Sequence, residues 1–301
     1  MIRIGTRKSA LAIWQANRVK DKLKKLGLSS ILVTVESIGD KNLVQPVYAM
    51  GIQGVFTKAL DHALLNDTID IAVHSLKDVP TLLPEGIKLS AYLERGNVRD
   101  VMVYHKDFTD WMENTQIGTG SLRRTAQWLR KYPDHSARNL RGNIQKRLDK
   151  LIASNWGGAI FAQAGLERLN LLATNFEILD WMIPAPGQGI IGIASLDKNK
   201  VLAETMKSVN CNETQLCAEI ERDFLNKLEG GCTAPIGAYA FIKNDLLNFS
   251  GGLFSLEGSE AIFHKTQVSL SQAKGLGKIA AIQVLAKGGS ALMEKIKNQM
   301  K

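Results

Sequence analysis

Short apolar runs alternate with helical stripes along most of the chain. Ile2–Gly5 is predicted as a strand; Ser9 then caps a helix carrying Leu11, Trp14, Val19, Leu23 and Leu26 at near-helical spacing, and Gly27 ends it. Ile31–Val35 reads as a second strand, Phe56–Leu65 as a helix, and Ile69–Val73 as a third strand that stops in the proline-bounded loop Ser75–Pro80. The cycle restarts near Arg99. Strands are predicted at Val101–Tyr104, Gln116–Gly118, Ala137–Leu140 and Gly158–Ala162, and helices from Ser121 to Arg130, from Ile144, and near Gly165–Leu169. Ile183–Gly189 is a rigid Pro/Gly connector, and the strand Ile190–Ser195 beyond it has too little sequence around it to found a domain, so it is read as returning to the first one. After Glu213 come one helix, a Gly-Gly-Cys loop, short strands such as Phe249–Leu256 and a last helix over Ser271–Leu285.

Strand–loop–helix repetition is the mark of an α/β sheet. The predicted architecture is α/β, with two lobes joined by crossing segments and a small C-terminal α+β module. The domains are 1–95 with 189–208, then 98–184, then 212–301. A length of 301 residues, 45% hydrophobic, suffices for cores of that number. No internal repeat or low-complexity tract is visible. The opening residues run straight into a strand pattern without an apolar leader, and no later run has membrane-span length, so a cytoplasmic protein is expected. Cys211, Cys217 and Cys232 form an odd set without a C-x-x-C pair, and the five histidines are scattered; neither a disulfide framework nor a metal site is expected.

The net charge of +9 points to anionic partners without choosing among them. Part of it lies in solvated lysine runs such as Lys20–Lys25. The arginines say more, because ligands of open α/β sheets bind beyond the carboxyl ends of the strands. Arg7 follows the first strand there. Ser75, Lys77 and Asp78 follow the third, and Arg141 and Arg147 follow a strand of the second lobe. Ser121, Arg123 and Arg124 occupy the first turn of a helix, where backbone N–H groups favour anions. Guanidinium forks at such positions suit carboxylate or phosphate, so the cleft is expected to hold a polyanion. Asp78 reads either as a turn aspartate before a proline or as a carboxylate that steadies a cation among these groups. His74 reads as a satisfied near-core histidine. Cys232, in a loop shaped by Gly230, Gly231 and Pro235, is either a small buried residue or an accessible thiol able to carry a covalent group.

Val73–Pro80, Gly118–Arg124, Leu140–Asn143, Pro186–Gly189, Glu221-Arg222 and Leu228–Gly237, in that order, resemble the porphobilinogen deaminases (hydroxymethylbilane synthases) over nearly the whole chain. The resemblance implies three domains, the first two like type II periplasmic binding proteins with the active cleft between them. It implies a dipyrromethane cofactor held by Cys232 through a thioether. Four porphobilinogen units are added to it with loss of ammonia, and hydroxymethylbilane is hydrolysed off, in tetrapyrrole biosynthesis. Asp78 would assist amine loss, stabilise the resulting cation and help remove the pyrrole proton. Lys77, Ser121, Arg123 and Arg124 would contact the cofactor, and Arg7, Ser9, Arg141, Arg147, Arg168 and Gln188 the substrate. Phe56 would act in gating. No metal, nucleic acid or membrane is implied, and a monomer is expected.

The chain departs from the family pattern where a loop lysine is usual and Gln53 stands, which puts that loop's electrostatic role in doubt. Gly120, where serine is usual, and Ala234 are milder changes. Two other readings compete. A two-lobed small-anion binding protein would need an export signal and has no use for the Cys232 loop. A nucleic-acid binder fits the charge, but aromatic residues are only 6% and do not interleave with a basic stripe.

Overall fold

The computed structural model describes residues 1–36, 54–172, 175–228 and 234–300. The first sheet has strand order β2-β1-β3-β10-β4. It is built from β1 (Ile2–Arg7), β2 (Ser30–Val35), β3 (Ile71–Ser75), β4 (Ile87–Tyr92) and β10 (Ile191–Leu196). The second has the order β7-β6-β8-β5-β9. Its strands are β5 (Asp100–Tyr104), β6 (Gln116–Gly118), β7 (Ser136–Arg138), β8 (Gly158–Ala162) and β9 (Phe176–Leu179). In each, three parallel strands are followed by one antiparallel strand: β10 in the first sheet and β5 in the second. Each antiparallel strand is the one that the chain enters on crossing from the other lobe. The two lobes are thus laced together by two crossing segments, 93–99 and 180–190. The third sheet, an antiparallel meander of β11 (Ile236–Lys243), β12 (Leu246–Phe254) and β13 (Ala261–Ser269), belongs to the small C-terminal α+β unit.

Helix starts follow local chemistry. Ser9 Oγ accepts from Ala12 N (3.3 Å) to cap α1 (Ala10–Lys25), and Lys22, Lys24 and Lys25 meet the negative end of its dipole. On the buried face of α1, Ala16, Val19 and Leu23 pack with Ile4, Ile71 and Ile193. Trp14 and Leu26, expected in that stripe, are 36% and 45% exposed instead. Trp14 turns toward the second lobe, where the Arg168 guanidinium lies 5.5 Å from its ring centroid. Helix α2 (Lys58–Leu65) begins two residues later than the pattern suggests, because Gly54–Thr57 form a hydrogen-bonded turn. The second lobe adds α3 (Leu122–Lys131), α4 (Ile144–Ile152) and α5 (Gln163–Arg168), and α6 (Lys200–Lys207) follows β10. Leu202 and Met206 of α6 join the core of the first lobe.

In the C-terminal unit, α7 (Asn212–Lys227), α8 (Leu276–Val284) and α9 (Ser290–Gln299) cover one face of the meander around Phe224, Phe249, Leu253 and Ala280. The predicted last helix begins later, since a 3-10 turn spans Leu270–Gln272, and α9, beyond a kink at Gly288 (φ 103°), was not predicted. Strands β4 and β9 were not apparent in the sequence, since both are edge strands with half-exposed positions. No described helix is long and apolar enough to cross a membrane.

Candidate functional site

Asp78 closes a 3-10 turn, Leu76–Asp78, directly after β3. Leu76 anchors the turn: it is fully buried, and its N–H donates to Ile190 O at 3.0 Å. Residues 79–81 are held by the C-terminal unit, since Arg222 of α7 donates to the carbonyls of Val79 (2.9 Å) and Pro80 (2.7 Å). The turn is thereby fixed at both ends. A small polar cavity of about 60 Å³ lies beside Asp78 and is lined by Arg7, Ser9, Gln15, Phe56 and His74 among others. Gln15 Nε2 donates to Ser75 Oγ (2.8 Å), and the Arg7 guanidinium stacks on Phe56, 4.3 Å from the ring centroid. Burial, with Arg7 nearby, pushes His74 down to about 4, so it is neutral near pH 7.

The second lobe supplies cations. Ser121 Oγ caps α3 by accepting from Arg124 N (3.5 Å), and Asn143 Oδ1 caps α4 by accepting from Lys146 N (2.9 Å). Arg147 on α4 is pushed down to about 10 by burial and then by Arg124, Arg141 and Arg7, against the opposing pull of Asp78. Lys77 is pushed down to about 8 by burial and by Arg124, opposed by Asp78. Arg7, Lys77, Arg124, Arg141 and Arg147 therefore share one electrostatic neighbourhood with Asp78, drawn from both lobes. These six residues, expected to converge from strand ends, lie within electrostatic reach of others in the set.

Arg124 of this group shares a buried carboxylate with Arg123, and the remaining candidates are placed differently. Arg123 and Arg124 are only 4% and 6% exposed and bind the buried Asp100 carboxylate, rather than lying open along a cleft wall. Burial opposes the Asp100 charge, yet Arg123 and Arg124 hold its carboxyl well below the usual range. Arg168 sits on the inter-lobe contact, donating from Nη2 to Gly189 O at 2.6 Å as well as stacking on Trp14. Gln188 is fully buried between the crossing segments, with Lys77 Nζ at 3.3 Å from its Oε1. Gly187 (φ 74°) and Gly189 (φ 85°) flank it in left-handed conformations. A Cβ on Gly189 would lie 2.8 Å from the carbonyl oxygens of Gly96 and Asn97, which explains Pro-Gly-Gln-Gly at this crossing. Gly120 is as tightly set: a Cβ there would meet Leu140 O at 2.8 Å, so a serine would force the segment after β7 to shift. Ala234 packs against the C-terminal core. Cys232 and Gln53 lie outside the described residues.

Three residues that the sequence reading gave no role hold the lobes to the C-terminal unit. Glu221 is fully buried and accepts from Arg95 Nη1 (2.6 Å), Gly187 N (2.7 Å) and Ala240 N (2.8 Å), tying both crossing segments to α7 and β11. Arg95 also donates from Nε to Gln188 O (2.9 Å), and Arg222 is the grip on the Asp78 loop. The signal available was the Glu-Arg pair on a helix, in which Glu221 faces both crossings and Arg222 the Asp78 loop.

Fold and site define a two-lobed α/β protein that gathers cations from both lobes around one carboxylate. A family model described as the porphobilinogen deaminase dipyromethane cofactor binding domain matches residues 2–204, and the porphobilinogen deaminase C-terminal domain matches 215–286. The chain is 40% identical over 300 residues to the porphobilinogen deaminase of Carboxydothermus hydrogenoformans, covering 98% of this chain and 96% of that one. It is 39% identical over 302 residues to the Campylobacter concisus enzyme, covering 98% and 97%. Among solved structures it is similar to the BvgS VFT2 domain of Bordetella pertussis, at 10% identity and TM-score 0.43, over 69% of this chain and 85% of that one. The chain belongs to the porphobilinogen deaminase family.

Proposed function

We propose that the chain condenses four porphobilinogen molecules head to tail onto a dipyrromethane group attached to Cys232, releasing ammonia and then hydroxymethylbilane. The observation that supports this reading is the mixed cluster itself: Asp78 among Arg7, Lys77, Arg124, Arg141 and Arg147, partly withdrawn from water. Each porphobilinogen ring brings an acetate and a propionate, so a growing product accumulates negative charge that such a cluster can hold. The same donors fit a dipyrromethane, whose four carboxylates need an excess of cations. When bound, that group supplies the pyrrole carbon on which the chain grows.

In this reading the arginines and Lys77 bind and orient substrate carboxylates beside the cavity. Asp78 lies close enough to balance the positive charge that develops as the substrate's amine departs. Its carboxylate also takes up the proton released when the new carbon–carbon bond is made. Neutral His74 beneath the cavity adds no competing charge. Phe56, stacked on Arg7, is proposed to move with it when substrate enters. Ser9, Ser121, Arg123, Arg168 and Gln188 are assigned to holding the cleft and its anions. We further propose the domain division 1–95 with 189–208, 98–184 and 212–301, and a cytoplasmic monomer.

The test is to incubate the purified chain with porphobilinogen, follow bilane formation, and weigh the intact protein after denaturation. An adduct of dipyrromethane mass, mapped to the Cys232 peptide, together with bilane formation is the expected result. An unmodified chain that forms no bilane would overturn the reading.

A further inference from the structure

Asp100 is the first residue of β5, and its backbone is paired to Ala162 of β8 on one side and Leu179 of β9 on the other. A side chain issuing from a strand held on both edges has little freedom to swing. Its carboxylate is fully buried and saturated with donors. Oδ2 accepts from Arg123 Nη1 (2.7 Å). Oδ1 accepts from Arg124 Nε (3.0 Å) and Nη2 (2.8 Å), and from Gln188 Nε2 (3.0 Å). Gln188 Nε2 also donates to Val98 O (2.8 Å), and its Oε1 faces Lys77 Nζ (3.3 Å). A continuous polar path thus runs from the residue beside Asp78, through the crossing segment, to the first turn of α3 in the other lobe.

The pairing leaves donors over. A guanidinium carries five N–H groups. Among the described residues Arg123 spends Nη1, on Asp100 and on Ile183 O (2.8 Å), and its Nε and Nη2 take no part in these bonds, whereas Arg124 also donates from Nη1 to Ile160 O (2.9 Å) and so engages all three nitrogens. An ion pair serving stability alone has no need to hold two neighbouring arginines of one helix turn and a hinge amide on a single carboxylate.

We propose that Asp100 is a positioning residue for carboxylate recognition: from a rigid strand it fixes Arg123 and Arg124, and through Gln188 the Lys77 amine, so that the remaining donors of Arg123 and Lys77 meet the carboxylates of the pyrrole units held in the cleft. This rests on the function proposed above. The Asp100→Asn side chain keeps the shape but turns an N–H toward one guanidinium, releasing its orientation. The Asp100→Glu side chain keeps the charge but displaces it by one methylene.

The experiment compares the parent and both variants, each as the full chain, for KM and kcat with porphobilinogen and for thermal midpoint. KM is expected to rise about tenfold or more in Asp100→Asn, with kcat changing less, and by an intermediate factor in Asp100→Glu. Parental KM in both variants overturns the proposal, however far the midpoint falls, and so does a loss confined to kcat. If the asparagine variant fails to fold, the glutamate variant decides alone, parental KM again being fatal. A parent that forms no bilane sinks the functional reading first, which separates the two failures.

Discussion

The two lobes share one strand order and use it for opposite chemistry. In the first, the loop after β3 presents a carboxylate, Asp78, over a small cavity floored by the neutral imidazole of His74. In the second, the turns after β6 and β7 present arginines at the starts of α3 and α4. Burial explains the shared order, because each sheet must cover both faces with helices and receive one strand from the crossing. It leaves the strand-end loops unconstrained, and there the lobes diverge. Neither lobe holds the whole site: Lys77 and Arg7 come from the first, Arg124, Arg141 and Arg147 from the second, and the Gln188 amide between them comes from the crossing.

The sharpest way to break this division is Asp78→Asn. If the first lobe supplies the reacting carboxylate, turnover should fall by roughly 10²–10⁴-fold while the thermal midpoint stays near the parent's. Turnover within a few-fold of normal would remove the first lobe from the chemistry. The matching change in the second lobe is Arg147→Leu. Here the effect should appear mainly in KM, raised by about tenfold to a hundredfold, since a charge-assisted hydrogen bond to a carboxylate is worth roughly 1.5–3 kcal/mol. A fall in kcat at constant KM would show that the second lobe does more than bind.

Lys77 gives the comparison a pH dependence. Its amine is pushed down to about 8 by burial and the neighbouring arginines, and a bound carboxylate favours the charged form. Affinity is therefore full below about pH 8 and lost as the amine gives up its proton above it. KM for porphobilinogen should climb severalfold between pH 7.5 and about 9, and this rise should flatten in Lys77→Met. An unchanged profile in that variant would take Lys77 out of anion binding. The smallest effect belongs to the contact between lobes. Trp14→Leu removes the ring under Arg168, a cation–π interaction of about 0.5–1 kcal/mol, and should lower the urea midpoint only slightly. A loss several times larger would mean that α1 and α5 do far more to hold the lobes together than this contact suggests.

Much of the site could be read directly from residue types at strand ends. Arg7, Lys77, Asp78, Arg141 and Arg147 needed only the rule that loops beyond parallel strands face the ligand, and the caps Ser9 and Ser121 are local chemistry. The curated relatives' family was legible too, because its motifs are contiguous in the chain. Asp100 was hidden because it precedes an ordinary apolar strand, Val101–Met102–Val103, and its three partners lie 23 to 88 residues away. Glu221 was hidden for the same reason: its ligands come from 95, 187 and 240. Trp14 was misread because helical spacing marks an apolar residue without saying which body will cover it.

By itself, then, the sequence determined most of the α/β elements, the return of β10 to the first lobe and the residue types at the cleft. These follow from local periodicity, capping and turn chemistry, which act within a few residues. Only the tertiary structure decided that Arg123 and Arg124 spend donors on Asp100, that Arg168 bridges Trp14 and Gly189, and that Glu221 and Arg222 clamp the crossings and the Asp78 loop. A buried charge must find its counter-charge wherever packing brings one, and packing is settled by the whole chain.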